Sequence, residues 1–313
     1  MDSKRVLVPG GGGYIGSRLV PALLDAGYEV TVIDTFWFGN HLGLHPNLTC
    51  IEHDLRKPIR SGYFDSIIHL ACISNDPSFE LNPKIAKEIN LDAFRNFVDA
   101  AISAKVERFV YASSSSVYGV CNEPADETHA LEPLTDYSRY KVECEKILRD
   151  SGLPYVILRP ATACGVSPRM RFDTMLNSFV NQAVNSHSIS VWGGTQMRSH
   201  INISELVRFY LLALEAPEAV NRTFNVSTVS MSIMELAGLV ANKTDGCIIK
   251  LTTSDDRRSY QVDAGRAARE LGFLPVLDID FAIDRIMQAM PFFTDPLNNP
   301  MYFNLKRMKE IYG

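Results

Sequence analysis

Positive charge is in short supply. Thirty-one Lys and Arg stand against 36 Asp and Glu, a formal charge of -5. With no long basic run, duplex DNA or RNA is excluded as the main partner. Tryptophan is rarer still: Trp37 and Trp192 stand apart from basic residues, so no nucleic-acid groove is implied. Six cysteines (Cys50, Cys72, Cys121, Cys144, Cys164, Cys247) are scattered without a CxxC, and a chain this long needs no disulfide staples. No apolar run nears the roughly 20 residues of a membrane span. The start MDSKRVLVPG is too short in apolar residues, and too broken by glycine, for a signal peptide. A reducing cytoplasm is the expected setting, with no membrane partner. His41 and His45 are four apart with His53 nearby, but they sit in loop-like sequence without a second ligand cluster, so no metal is expected. His69, inside an apolar strand, reads as a satisfied structural residue. There is no internal repeat and no low-complexity tract.

What remains is a chain able to fill a large core. Of 313 residues, 46% are apolar and 21% charged, which suits one large domain with a smaller one grown onto it. RVLVPG (5–10) is an apolar strand running into four glycines, and a helix follows over 14–26 with Ile15, Leu19, Leu23 and Ala26 at helical spacing. EVTVID (29–34), SIIHLAC (66–72), ERFVYAS and PYVILRP read as further strands. Helices are expected between them at about 83–104 and 138–150. Apolar strands alternating with amphipathic helices predict an α/β fold, a Rossmann-type doubly wound parallel sheet. After Pro160 the regularity fades into short strands (188–192, 199–204, 222–226) and helices (204–215, 232–243). The expected division is 1–160 for the dinucleotide-binding domain and 161–313 for a smaller mixed α/β lobe, with some segments returning to the sheet. The Pro- and Asn-rich end, PFFTDPLNNPMYFNLKRMKE, is expected to be irregular.

Gly10, Gly13 and Gly16 form a GxxGxxG where the first strand meets the first helix, with Tyr14 and Ile15 inside it. Glycine there permits a tight turn, close approach of backbone to a pyrophosphate, and close helix packing. The phosphates then lie on the unpaired N–H groups of the helix start. Asp34 ends the second strand 18 residues past Gly16. A carboxylate there accepts from adenosine ribose hydroxyls and repels a 2′-phosphate, which favours NAD over NADP. Asp54 is a candidate for the adenine amino group, and Trp37-Phe38 for shielding the adenosine end. Tyr137 and Lys141, four apart on one helix face, pair a phenol with an ammonium able to stabilise its phenolate. Such a phenol can take a proton from a sugar hydroxyl as hydride leaves carbon. Tyr140 reads as packing. Ser113 to Ser116 follow the strand that ends at Ala112, where hydroxyls meet the ligand crevice of a parallel sheet.

The turn GGGGYIG, the strand exit YASSSSVYG, the YSRYK pair and the later RSHINISEL occur in one order across nearly the whole chain. Together they resemble an extended short-chain dehydrogenase/reductase of the nucleotide-sugar epimerase/dehydratase family. The resemblance implies NAD as cofactor and a nucleotide-diphosphate sugar as substrate, bound by the C-terminal lobe. It implies a homodimer through a four-helix bundle built from helices at about 85–104 and 138–150. Gly10, Gly13 and Gly16 match the NAD-phosphate glycines, Asp34 the ribose acid, and Asp54 and Leu55 the adenine-contacting pair. Leu70, Ala71 and Cys72 match the strand end along the cofactor, and Asn90 a helix asparagine near it. Ser114 matches the substrate-touching hydroxyl, Tyr137 the catalytic tyrosine, and Lys141 the lysine that holds the nicotinamide ribose. Arg198 matches a diphosphate-binding arginine, and Arg257-Arg258 a second phosphate-binding stretch in which either arginine can be the contact.

Departures from the family sort the reactions. The 4,6-dehydratases carry Asp-Glu where this chain has Ser115 and Ser116, and the 3,5-epimerases an active-site cysteine at the position of Ser116; both reactions are disfavoured. Thr162 replaces the family's asparagine. GVSPRMRFDTMLN (165–177) resembles an SPRMR-type branch that includes enzymes oxidising C4 of a nucleotide-linked heptose, and Thr162, Asn177, Arg169 and Arg171 become candidate substrate or phosphate contacts. Three readings stay open. The first is a nucleotide-sugar 4-epimerase working through a 4-keto sugar. The second is a one-way 4-dehydrogenase or 4-keto-sugar reductase. The third is a catalytically silent NAD-sensing scaffold.

Overall fold

The computed structural model describes residues 4–58, 64–121 and 123–312. Seven parallel strands form the main sheet: β1 (Arg5–Pro9), β2 (Glu29–Asp34), β3 (Leu48–Glu52), β4 (Ser66–His69), β5 (Arg108–Ala112), β6 (Tyr155–Pro160) and β10 (Arg222–Val226). Their spatial order is β10-β6-β5-β4-β1-β2-β3. The central strands are short and rich in Val and Ile because both faces are covered, so no polar alternation is needed. On one face the helices Gly16–Asp25 and Ile203–Glu215 pack over Val6, Val8, Val30, Val32, Val110 and Val156. On the other, the helices Ala93–Ser103 and Asp136–Asp150 cover Leu7, Ile67, Phe109 and Ile157. Chain order reverses at β1, which has β2 on one side and β4 on the other. The carboxyl ends of these strands therefore open a crevice at the switch point.

The C-terminal lobe holds two small sheets, β11 (Val229–Ser232)-β9 (Met197–Asn202)-β7 (Thr162–Cys164) and β12 (Ile248–Thr252)-β8 (Ser188–Trp192). Phe172, Leu176, Val180, Ile189, Leu236 and Ile283 fill its own core. Strand β10 leaves this half of the chain and pairs with β6 from Arg222↔Val156 to Val226↔Pro160.

Two local expectations change. The helix expected at 83–104 is interrupted: Pro83–Lys87 passes through a π-turn at Glu88–Asp92 before Ala93–Ser103. The irregular tail contains a helix, Asn304–Tyr312. Pro300 and Asn299 set a single 3₁₀ turn ahead of it and leave the amphipathic stretch behind them free to wind. No helix among the described residues is long and apolar enough to cross a membrane.

Candidate active site

A cleft of about 540 Å³ runs along the carboxyl ends of the sheet and into the lobe. At its first end lies the glycine turn. Gly10 has φ +80°, and a Cβ there would stand 2.5 Å from the Ala71 nitrogen, so only glycine lets the loop after β4 cross it. A Cβ on Gly16 would meet the Gly11 oxygen at 2.4 Å, whereas one on Gly13 would find only the Gly10 oxygen, at 3.2 Å. Gly13 also lines the cleft. The turn is thus closed where chain meets chain and open where a phosphate has to approach, which fits a dinucleotide. Asp34 ties the turn to β2, its two oxygens accepting from the backbone N–H groups of Gly12 and Phe36, each at 2.9 Å. Burial raises its pKa, and these backbone bonds pull the other way.

Leu55, Leu70, Ala71, Cys72, Tyr14, Ile15, Trp37 and Phe38 share this wall. Asp54 reaches it with its carboxylate already engaged by Arg56 (Nη2 to Oδ2, 2.6 Å). Burial raises the Asp54 pKa, but the bonds from Arg56 outweigh it and leave the carboxyl below its usual range. Asn90 is different: it does not line the cleft. Seated in the π-turn, it accepts from the Ile73 N–H at 2.8 Å and donates to the Ile73 carbonyl at 3.0 Å, bracing the loop that carries Leu70 to Cys72 from behind.

Arg169 crosses from the lobe to the glycine turn. Its backbone N–H donates to Ser17 at 3.1 Å, its guanidinium lies 3.8 Å over the Phe38 ring, and Nη2 donates to Asn304 Oδ1 at 2.5 Å. Its Nε is buried without a partner. Burial, with Arg171 nearby, brings its pKa down to about 9. A desolvated cation beside a helix start, with no ion pair among the described residues, fits the dinucleotide's phosphates.

In the middle of the cleft stand the hydroxyls and the Tyr-Lys pair. The helix Asp136–Asp150 begins with a capping box between Thr135 and Ser138, which fixes Tyr137 at its second position. Lys141 Nζ lies 5.7 Å from the Tyr137 ring centroid and donates to the Ala112 carbonyl at 2.6 Å. Ser114 caps the 3₁₀ turn Ser115–Tyr118, and its Oγ lies 2.9 Å from that of Ser116. Ser113 points away, donating to Glu145 at 2.5 Å. Burial pushes the Tyr137 phenol well above its usual pKa, aided by Cys72 and Asp76, while the Ser114 hydroxyl and Arg171 pull it down. Tyr140 packs against Phe79, at 5.4 Å between ring centroids.

At the lobe end, Arg198 and Arg258 face the cleft around a carboxylate that no motif announces. Asp256 accepts from Arg198 Nη2 at 3.0 Å and from Arg258 Nε and Nη2 at 2.8 Å each. Arg258 Nη1 also binds Asp76. Arg257 is exposed and away from the cleft, so Arg258 is the arginine of the pair that reaches it. Thr162 lines the cleft from β7. Asn177 does not: fully buried, it donates to Tyr14 Oη and the Arg171 carbonyl and accepts from the Gly165 N–H. Its amide fastens the lobe's first helix to the turn, which leaves nothing for a substrate. Arg171 is held by Asp173 at 2.8 Å and by Ser74 at 3.1 Å.

Asp76, Asp256 and Asn304 are among the cleft residues that sequence reasoning missed, with Ser74, Asn75 and Asp173. Each is a polar residue in or beside a loop, and the one available signal was the approach of Asp256 to Arg258 in SDDRRSY. His69 is buried as expected, but it is not satisfied: neither ring nitrogen has a partner among Phe94, Phe97, Phe109 and Tyr111. Among the described residues, no group of three or more His, Cys, Asp or Glu is placed to hold a metal ion.

A dinucleotide crevice with a Tyr-Lys pair and hydroxyls at its centre defines an NAD-dependent oxidoreductase of the short-chain type. A family model described as "NAD dependent epimerase/dehydratase family" matches residues 6–227, and the chain belongs to that family. It is 31% identical over 305 residues to UDP-glucuronic acid decarboxylase 1 of Arabidopsis thaliana, covering 90% of this chain and 69% of that one. It is 25% identical over 307 residues to UDP-glucose 4-epimerase of Lactobacillus helveticus, covering 87% and 92%. The solved UDP-N-acetylglucosamine 4-epimerase from Methanobrevibacter ruminantium M1, in complex with UDP-N-acetylmuramic acid, superposes with a TM-score of 0.82 at 27% identity, covering 94% of this chain and 99% of that one.

Proposed function

We propose that the protein is an NAD-dependent nucleotide-sugar 4-epimerase. The observation that carries this reading is that one cleft is lined by the glycine turn and Asp34, by Tyr137, Lys141 and Ser114, and by Arg198 and Arg258. A nucleotide sugar whose diphosphate lies on the two arginines brings its sugar to the Tyr137 hydroxyl. When bound, NAD supplies a reversible hydride acceptor whose positive ring favours the phenolate.

In this reading Tyr137 takes the proton of the sugar's 4-hydroxyl and later returns it. Ser114 orients the same oxygen, and Lys141, fixed on Ala112, keeps a positive charge beside the phenol. The sugar ketone turns its other face before reduction, which gives the C4 epimer. Ser115 and Ser116 line the cleft, but a serine hydroxyl is too weak an acid to drive a dehydration. The proposal includes NAD contacts at Gly10, Gly13, Gly16, Asp34, Leu55 and Leu70 to Cys72, and sugar or phosphate contacts at Ser114, Thr162, Arg198 and Arg258. It also includes a homodimer through helices 93–103 and 136–150.

The test is incubation with NAD and a panel of UDP-, GDP-, CDP- and dTDP-linked hexoses and heptoses, following stereochemistry by NMR and reduced nicotinamide by absorbance. A C4 epimer without net NADH is expected. Stoichiometric NADH with a ketone product would replace this reading by the 4-dehydrogenase.

A further inference from the structure

The cations of the cleft leave none for an acidic sugar. Arg56 is engaged by Asp54, Arg171 by Asp173, and Lys141 by the Ala112 carbonyl. Arg169 lies at the glycine turn over Phe38, on the cofactor side. Arg198 and Arg258 already share Asp256 and still have to hold a diphosphate. Against these stands Asp76, at the start of the helix Asp76–Leu81. One of its oxygens is bound by Arg258, while the other is buried with no donor among the described residues. Its charge raises the pKa of the Tyr137 phenol, opposed there by Arg171, which Asp173 already holds. A group that pairs with Arg258 on one side and acts on Tyr137 on the other lies along the stretch that the sugar has to occupy.

Resting on the nucleotide-sugar reading above, we infer that Asp76 makes this cleft selective for nucleotide sugars with an uncharged sugar and turns away uronic acids. A sugar carboxylate would enter beside a fixed carboxylate in a partly desolvated cleft, where like charges a few ångströms apart repel strongly. The inference separates this chain from the relative named as a UDP-glucuronic acid decarboxylase, whose own substrate is acidic.

The experiment is equilibrium binding to the NAD-loaded protein of two matched pairs, UDP-glucose with UDP-glucuronic acid and GDP-mannose with GDP-mannuronic acid. It is done for wild type, Asp76→Asn and Asp76→Glu, with UDP, GDP, CDP and dTDP alone as references, and a neutral and acidic pair on CDP or dTDP is added where only that nucleotide binds. In the pair whose nucleotide is accepted, the neutral sugar is expected to bind about tenfold or more tightly than the acid. Asp76→Asn should narrow that gap by tightening the acid, and Asp76→Glu should keep it. Equal or tighter binding of the acid by wild type would overturn the inference, as would an unchanged gap in Asp76→Asn, and either would leave the nucleotide-sugar reading standing. If none of UDP, GDP, CDP and dTDP, nor any of their sugars, binds while NAD does, the nucleotide-sugar reading itself falls, and the inference with it.

Discussion

Glu145 sits one turn beyond Lys141 and is fully buried. It accepts from Arg159 at 3.0 Å (Nε) and 2.7 Å (Nη2), from Ser113 at 2.5 Å and from Arg149 at 2.8 Å. Arg159 is nearly as buried and, among the described residues, otherwise donates only to Tyr118 Oη, at 2.9 Å. In Glu145→Gln the shape stays, but the guanidinium loses its counter-charge inside the sheet. Breaking a buried pair on one side costs about 3–5 kcal/mol. Replacing both partners with apolar groups removes the stranded charge, so Glu145→Leu with Arg159→Met should recover most of the loss. Urea unfolding of the three proteins at pH 7 reads both numbers.

The pH dependence of Glu145 has a fixed sign. Burial raises its pKa, but the bonds from Arg159 and Ser113 outweigh it and leave the carboxyl below its usual range. A carboxylate depressed in the fold stabilises above its unfolded value of about 4.3, and that contribution is lost as pH falls through the folded value. The deficit of Glu145→Gln should therefore shrink on acidification. A loss under about 1 kcal/mol at pH 7, or a double variant no more stable than Glu145→Gln, would refute the reasoning.

Tyr137→Phe should retain NAD and nucleotide-sugar binding within a few-fold and lower kcat by about 10²–10⁴; turnover within tenfold of wild type would remove Tyr137 from the chemistry. His69, brought to about 3 by burial and by Lys141, stays neutral in the fold while the unfolded chain protonates below about pH 6.5. Stability should thus fall by about 1.4 kcal/mol per pH unit below that value, and His69→Leu should flatten the curve. His200, brought to about 4 by burial and by Arg198, keeps its own share of the slope in the variant, and thermal unfolding from pH 7 to 5 is the check. Asn304→Ala removes the acceptor of Arg169 and the donor to Ser74 Oγ (3.1 Å). It should cost about 2 kcal/mol and speed loss of NAD during gel filtration; an unchanged cofactor content would show that this asparagine does not brace the cleft.

The parts of the fold that repeat a physical pattern were legible. Strands 188–192 and 222–226 stand where their apolar runs end, and the glycine turn lies where strand meets helix because its close contacts admit only glycine. Side-chain direction was not legible. Asn90, Asn177 and Thr162 are all plausible polar contacts by type, yet one braces a loop, one locks a helix, and only Thr162 reaches the cleft. The helix 304–312 was hidden by the Pro and Asn residues before it, although Leu305, Met308 and Tyr312 recur at helical spacing. The π-turn at Asn90 adds a residue to a helix whose apolar period already drifts, so hydrophobic spacing alone does not reveal it.

Strand β10 has a consequence for how such a protein can be rearranged. The polypeptide departs from the sheet at Pro160 and comes back at Arg222, directly alongside the strand it left. It departs again and sends the helix Asn304–Tyr312 onto Trp37, where Tyr312 meets the indole at 5.4 Å and Arg307 donates to the Trp37 carbonyl at 2.7 Å. The lobe is laced to the sheet rather than hung from a hinge. Grafting a foreign lobe at residue 160 would leave β6 as a raw edge and Trp37 uncapped. A workable exchange has to carry β10 and the last helix along, and so to treat recognition of the sugar and retention of the dinucleotide as one heritable block.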